Sequence, residues 1–111
     1  MQEEKQMQLK AQLQEGTLLL RVKGELDHHA AQTLMRDIGR KIDETLPRKA
    51  ILDLEGLSFM DSSGIAVMLN FHKRMQEING YAQMINAQSQ PMKVLKASGL
   101  TKILNIKEKV A

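Results

Sequence analysis

The spacing of the apolar residues changes along this chain, and those changes constrain the fold more than any bulk figure. Met7, Leu9, Ala11 and Leu13 alternate with Gln8, Lys10, Gln12 and Gln14. That period of two belongs to a half-buried strand. Beyond Glu15-Gly16, a short turn, Leu18, Leu20 and Val22 continue the alternation, so the two runs are expected to pair as a hairpin. The spacing then becomes four. Ala30, Leu34, Ile38 and Ile42, with Ala31 and Met35 beside them, make one apolar stripe on a helix. Asp27 is the expected N-cap and Pro47 the stop. Gly39 inside the helix costs about 1 kcal/mol relative to alanine.

The switching continues to the C-terminus. Ala50–Leu54 is interrupted only by Asp53, as expected of a strand covered on both faces. Gly56 to Met60 reads as a connection. Ile65, Met68, Leu69, His72, Met75 and Ile78 have helical spacing, with Gly80 at the C′ position. Ala82–Ala87 alternates again. Ser89 is the expected cap of a third helix, Pro91 lies in its first turn and Gly99 beyond its end. Ile103, Leu104 and Ile106 make a last short strand. This order implies a single α/β domain over residues 7–111, preceded by a flexible tail over 1–6. Its sheet is mixed and mostly parallel, with an N-terminal β-hairpin and the helices packed on it. Functional loops are then expected at the carboxyl ends of the strands.

Composition removes several function classes. The chain has no cysteine, which excludes disulfides, thiolate metal sites and a Cys nucleophile. The N-terminal MQEEKQMQ lacks the apolar core of a signal peptide. No run approaches the roughly 18 apolar residues of a membrane span, so a cytoplasmic protein without a membrane partner is expected. The net charge of +3 comes with lysines at 93, 96, 102, 107 and 109, but Phe59, Phe71 and Tyr81 are the only aromatics. With no aromatic among the lysines to stack bases, a solvated basic face is expected rather than nucleic-acid binding. The eight methionines are expected as core filler.

The stretch Phe59-Met60-Asp61-Ser62-Ser63-Gly64-Ile65 lies where a strand feeds a helix. Asp or Ser is ordinary there, because their oxygens accept from unpaired helix amides. Two serines and a glycine exceed that need, so a cap and a hydroxyl site are both open readings. A serine hydrolase using Ser62 with His28 or His29 is disfavoured because G-x-S-x-G is absent. A nucleotide or small-ligand site at the helix start lacks G-x-x-x-x-G-K-[ST] and G-x-G-x-x-G. His28 and His29 are neighbours that do not share a helix face, and no H-E-x-x-H occurs, so no metal is expected. A phosphoryl acceptor is the remaining reading. It would add a charge of about −1.5 to −2, tolerable at a helix start but costly inside an interface.

Gly24-Glu25-Leu26-Asp27-His28-His29 and Phe59-Met60-Asp61-Ser62-Ser63-Gly64, with Ala97-Ser98-Gly99-Leu100, resemble the anti-sigma factor antagonists built on a STAS domain. The resemblance runs from about Leu13 to Ile106. It implies an anti-anti-sigma factor in sporulation transcription control. The unmodified form of such a protein binds an anti-sigma factor and frees the sigma factor. The anti-sigma factor is also a serine kinase, and its phosphorylation of the antagonist ends binding. A PP2C-type phosphatase restores the active form. The acceptor maps onto Ser62. Glu25, Asp27, His28, Asp61, Ser63, Gly64 and Ile65 map onto the surrounding partner surface. The chain is then a monomeric substrate and regulator rather than an enzyme, with no cofactor. The family's C-terminal helix is expected to be absent or reduced to a turn after Ile106.

Overall fold

A computed structural model describes residues 7–110, and the expected flexible tail over 1–6 lies outside the described residues. The hairpin forms as the alternation predicts. β1 (Gln8–Gln14) pairs antiparallel with β2 (Thr17–Leu26), from Gln14↔Thr17 to Gln8↔Lys23. Glu15 (φ 52°) and Gly16 (φ 83°) are both left-handed. Positive φ at both central residues is the type I′ turn, whose twist matches that of the strands.

From β2 the chain runs through α1 (His28–Thr45), β3 (Lys49–Met60), α2 (Ser63–Glu77), β4 (Tyr81–Ala87), α3 (Ser89–Ala97), a 3₁₀ turn (Leu100–Lys102) and β5 (Ile106–Glu108). The sheet order is β1-β2-β3-β4-β5, with every pair after the first parallel. Right-handed crossovers through strands in this order put all three helices on one face. The burial agrees. Leu18, Leu20 and Val22 of β2, Ala50, Leu52 and Leu54 of β3, and Ala82 and Met84 of β4 join Leu34, Ile38, Met68, Phe71 and Leu95 in one core. Met60, Met68, Met75, Met84 and Met92 are buried in it, the filler role expected of methionine.

The reading of β3 as covered on both faces is corrected. Ile51 and Asp53 lie on the helix-free face and are half-buried. Asp53 there meets Arg21 at 3.9 Å and accepts from Asn86 Nδ2 at 3.2 Å. The connection expected at 56–60 is instead the second half of β3, paired with Lys23–Leu26. Relative to β2, β3 holds an extra residue between Asp53 and Gly56, and another between Leu57 and Phe59. Each bulge resets which side chains point inward. The buried positions therefore run 50, 52, 54 and then 57, 60, a spacing that matches no simple strand pattern. Gly56 is needed here, because a Cβ would stand 2.6 Å from the Val22 carbonyl.

Element ends show three smaller differences. α2 ends in a Schellman motif with Asn79, not Gly80, in the left-handed position (φ 57°). Asn79 N donates to Gln76 O and Gly80 N to Met75 O. Gly80 serves space instead, since a Cβ would lie 2.6 Å from Met75 Cε. Ser89 is the first residue of α3 and Gln88 its cap, without a side-chain capping bond. Ile103 and Leu104 follow a 3₁₀ turn that buries Leu100 and Leu104, and the last strand begins only at Ile106. Among the described residues no helix follows β5.

Candidate functional site

The parallel strands end at one edge of the sheet, and three of their loops meet there. Asp27 follows β2, Asp61 and Ser62 follow β3, and Gln88 follows β4. Asp27 behaves as the sequence predicts. Its Oδ1 accepts from Ala30 N at 2.9 Å and caps α1.

At the start of α2 the capping work falls to Asp61. Its Oδ1 accepts from Ser63 N at 2.8 Å, and its Oδ2 accepts from His28 N, the first amide of α1, at 3.1 Å. One carboxylate therefore ties two helix starts together. The Asp61 backbone donates to Leu26 O at 3.1 Å, which fixes it to the end of β2. Ser62 stands at the cap position in helical conformation (φ −63°, ψ −18°), makes no side-chain capping bond and is exposed. Ser63 is half-buried, with its Oγ 3.5 Å from His28 Nδ1. The two adjacent hydroxyls thus occupy different environments.

Gly64 is buried, and its role is to let α2 come down onto the strand ends: a Cβ would lie 2.3 Å from Met60 Cγ and 3.2 Å from Leu26 Cδ2. Ile65 is half-buried, while Ala66 and Leu69 are exposed. On the helix they sit three, four and seven residues beyond Ser62, so they continue its face as an apolar stripe. Phe59, at the end of β3, is 40% exposed, and Glu25 pairs with it in register. The structure therefore brings Glu25, Asp27, His28, Asp61, Ser62, Ser63 and Ile65 to one edge.

This geometry offers little to the other readings. His28 approaches Ser63 rather than Ser62, and Asp61 binds the His28 backbone rather than its ring, so no Ser62–His–Asp relay is assembled. The first amides of α2 are already bonded: Ser63 N to Asp61 Oδ1, Gly64 N to Asp61 O and Ile65 N to Ser62 O. A phosphate cradle would need them unpaired. Among the described residues no cluster of three His, Cys, Asp or Glu could hold a metal, and no helix is long and apolar enough to cross a membrane.

Two contacts escaped the sequence reading altogether. Gln88 Nε2 donates to Glu55 O, and the Gln90 side chain binds both backbone polar groups of Met60. No local motif marks a glutamine that will reach a distant strand.

Residues 8–111 match the STAS domain model. The chain belongs to the STAS domain family. It is similar to the anti-sigma F factor antagonist of Lysinibacillus sphaericus, 37% identical over 84 residues that cover 76% of this chain and 72% of the relative. Among solved structures it resembles the anti-sigma factor antagonist SpoIIAA in its unphosphorylated form. The TM-score is 0.74 and the identity 31%, over 90% of this chain and 86% of that one. It also resembles the phosphorylated form of the Bacillus cell fate determinant SpoIIAA, with TM-score 0.67 and 31% identity over 90% and 89% of the two chains. The strand and helix order of this STAS domain agrees with that read from its periodicities, the 3₁₀ turn apart.

The capping geometry carries a first prediction. Asp61→Ala removes the acceptor shared by His28 N and Ser63 N. It is expected to lower stability by about 0.5–2 kcal/mol, the range for a lost cap. Asp61→Asn, which keeps an oxygen acceptor, is expected to recover part of that loss. Urea unfolding of the three proteins checks this, and equal midpoints would refute the bridging role.

Proposed function

We propose that this STAS domain is an anti-sigma factor antagonist switched by phosphorylation of Ser62. The observation that carries the reading is the division of labour between Asp61 and Ser62. Because Asp61 caps α2, the Ser62 hydroxyl is exposed and makes no capping bond. It heads the apolar stripe of Ile65, Ala66 and Leu69. An uncommitted nucleophile bordered by apolar surface suits a group that is both modified by a partner and buried against it. The similarity to SpoIIAA, solved in unphosphorylated and phosphorylated forms, supports the same reading.

In this scheme the unmodified protein binds an anti-sigma factor that is also a kinase, and sigma factor is released. Ser62 Oγ then attacks the γ-phosphorus of ATP held by that kinase. The new O–P bond replaces the bond to the bridging β–γ oxygen, ADP departs, and the hydroxyl proton passes to a base on the kinase. A PP2C-type phosphatase hydrolyses the phosphoserine, with water supplying the oxygen of the released phosphate. The domain is substrate and regulator in this cycle, a cytoplasmic monomer acting in sporulation transcription control.

The test is intact mass and peptide mapping after incubation with the host's anti-sigma kinases and ATP. One added phosphoryl group on Ser62, absent from Ser62→Ala, is the expected result. Phosphate on Ser63 would move the acceptor by one residue, and no modification by any active kinase would overturn the reading.

A further inference from the structure

Among the described residues, the second half of β3 has only one strand neighbour. Its pairing with β4 runs from Lys49↔Tyr81 to Asp53↔Ile85, and β3 continues for seven residues beyond that point to Met60. On the other side it remains paired with β2 through Leu26↔Met60. An overhanging edge of this kind leaves backbone donors and acceptors without a ladder, and unpaired groups that water reaches poorly are costly.

Side chains from the start of α3 stand in for the missing strand. Gln88 Nε2 donates to Glu55 O. Gln90 makes the stronger substitution: Met60 N donates to its Oε1 at 2.8 Å, and its Nε2 donates to Met60 O at 2.9 Å. One planar amide thus exchanges two hydrogen bonds with a single backbone residue, as a paired strand residue does. Met60 is fully buried, lies under Gly64, and is the last strand residue before Asp61-Ser62.

We propose that Gln90 is a positioning residue for Ser62. By holding both polar groups of Met60, it sets the direction in which β3 leaves the sheet, and so where the Ser62 hydroxyl is presented to the kinase. The proposal rests on Ser62 being the phosphoryl acceptor, and it adds that α3, which contributes nothing to the Asp61 cap, controls that acceptor's placement.

Two substitutions in the full chain test it. Gln90→Met keeps length and volume and removes both hydrogen bonds. Gln90→Glu keeps the acceptor for Met60 N and loses the donor to Met60 O. Amide exchange by NMR is expected to quicken about tenfold at Met60 in Gln90→Met, with Leu52 in the same strand unchanged. Tenfold corresponds to about 1.4 kcal/mol, the size of a lost intramolecular hydrogen bond. The kcat for phosphorylation of Ser62 is expected to fall about tenfold at a nearly constant KM, because the apolar stripe that meets the partner is untouched. Gln90→Glu retains the acceptor for Met60 N, so its Met60 exchange is expected between wild type and Gln90→Met. Its kcat is expected to fall at least as far as that of Gln90→Met, because a carboxylate oxygen then faces Met60 O. Unchanged Met60 exchange in Gln90→Met, or faster exchange with unchanged kcat, overturns the positioning role. An unmodified wild-type protein defeats the Ser62 reading itself, and the Gln90 role with it. A wild type modified at the same kcat as Gln90→Met defeats the Gln90 role alone.

Discussion

Ser62→Asp is expected to weaken binding to the anti-sigma partner by about a hundredfold while leaving the fold intact. Ser62→Ala is expected to bind as the wild type does and to accept no phosphate. The two halves have different physical origins. The fold is insensitive because Ser62 is exposed and makes no capping bond, so its side chain contributes nothing that either substitution removes. A new negative charge at the start of α2 gains about 0.3–1 kcal/mol from the helix dipole, and the adjacent Asp61 carboxylate opposes part of it. Surface changes of that kind stay within about 0.5 kcal/mol. Binding is sensitive because the same position heads the Ile65, Ala66 and Leu69 stripe. A charge buried there against apolar surface without a counter-ion costs several kcal/mol. At about 1.4 kcal/mol per decade, a modest 3 kcal/mol already gives roughly a hundredfold, and phosphoserine with its larger charge gives more. Calorimetric titration with the partner, beside thermal melts of all three proteins, is the measurement. Wild-type affinity in Ser62→Asp, or a lowered melting point, would show that the charge acts differently.

How much of this was legible in the sequence depends on whether a local rule or a distant partner decides each residue. The hairpin was legible because period two and Glu15-Gly16 both act locally, and α1 was legible for the same reason through Asp27 and its four-residue stripe. The second half of β3 was not. Its two bulges change the inward spacing from two to three after Leu54, so Gly56 to Met60, with Leu57 and Met60 buried, look like a connection. The choice of Asn79 over Gly80 for the left-handed position turned on where α2 stopped, a matter of one residue. At the site, the motif Asp61-Ser62-Ser63-Gly64 announced a helix start but not which oxygen would cap it. That assignment depends on His28 N arriving from α1, 33 positions away in sequence, to share the Asp61 carboxylate. The Gln90–Met60 pairing is equally non-local, at 30 positions.

Gly64→Ala should test how the site is seated, because two effects of opposite sign compete there. Alanine is the better helix former by about 1 kcal/mol, so propensity alone predicts a more stable α2. The packing predicts the reverse. An added Cβ would lie 2.3 Å from Met60 Cγ and 2.5 Å from Met60 Sδ. Those atoms belong to a fully buried side chain hemmed in by the core, and Cγ is too close to the backbone to swing aside. Overpacking of this kind costs about 1–3 kcal/mol, so the net effect is expected to be destabilising, and Gly64→Val more so. Gly39→Ala supplies the contrast. Its Cβ would lie 2.9 Å from Arg74 Nη1, the far end of a flexible side chain that can shift. Arg74 does bridge the helices there, donating to Gly39 O at 3.2 Å and to Asp43, whose hydrogen bond raises the guanidinium pKa. Relocating it costs less than lifting a helix, so Gly39→Ala is expected to change stability less than Gly64→Ala. If the collision with Met60 is the cause, Met60→Ala should absorb it. The double variant Met60→Ala, Gly64→Ala is then expected to be more stable than the sum of its single changes. Denaturant unfolding of the four proteins decides the matter. A stabilised Gly64→Ala, or strict additivity with Met60→Ala, would mean that α2 is not seated on Met60. Ser62 would then be presented by the loop alone rather than by the packing of a helix on the end of β3.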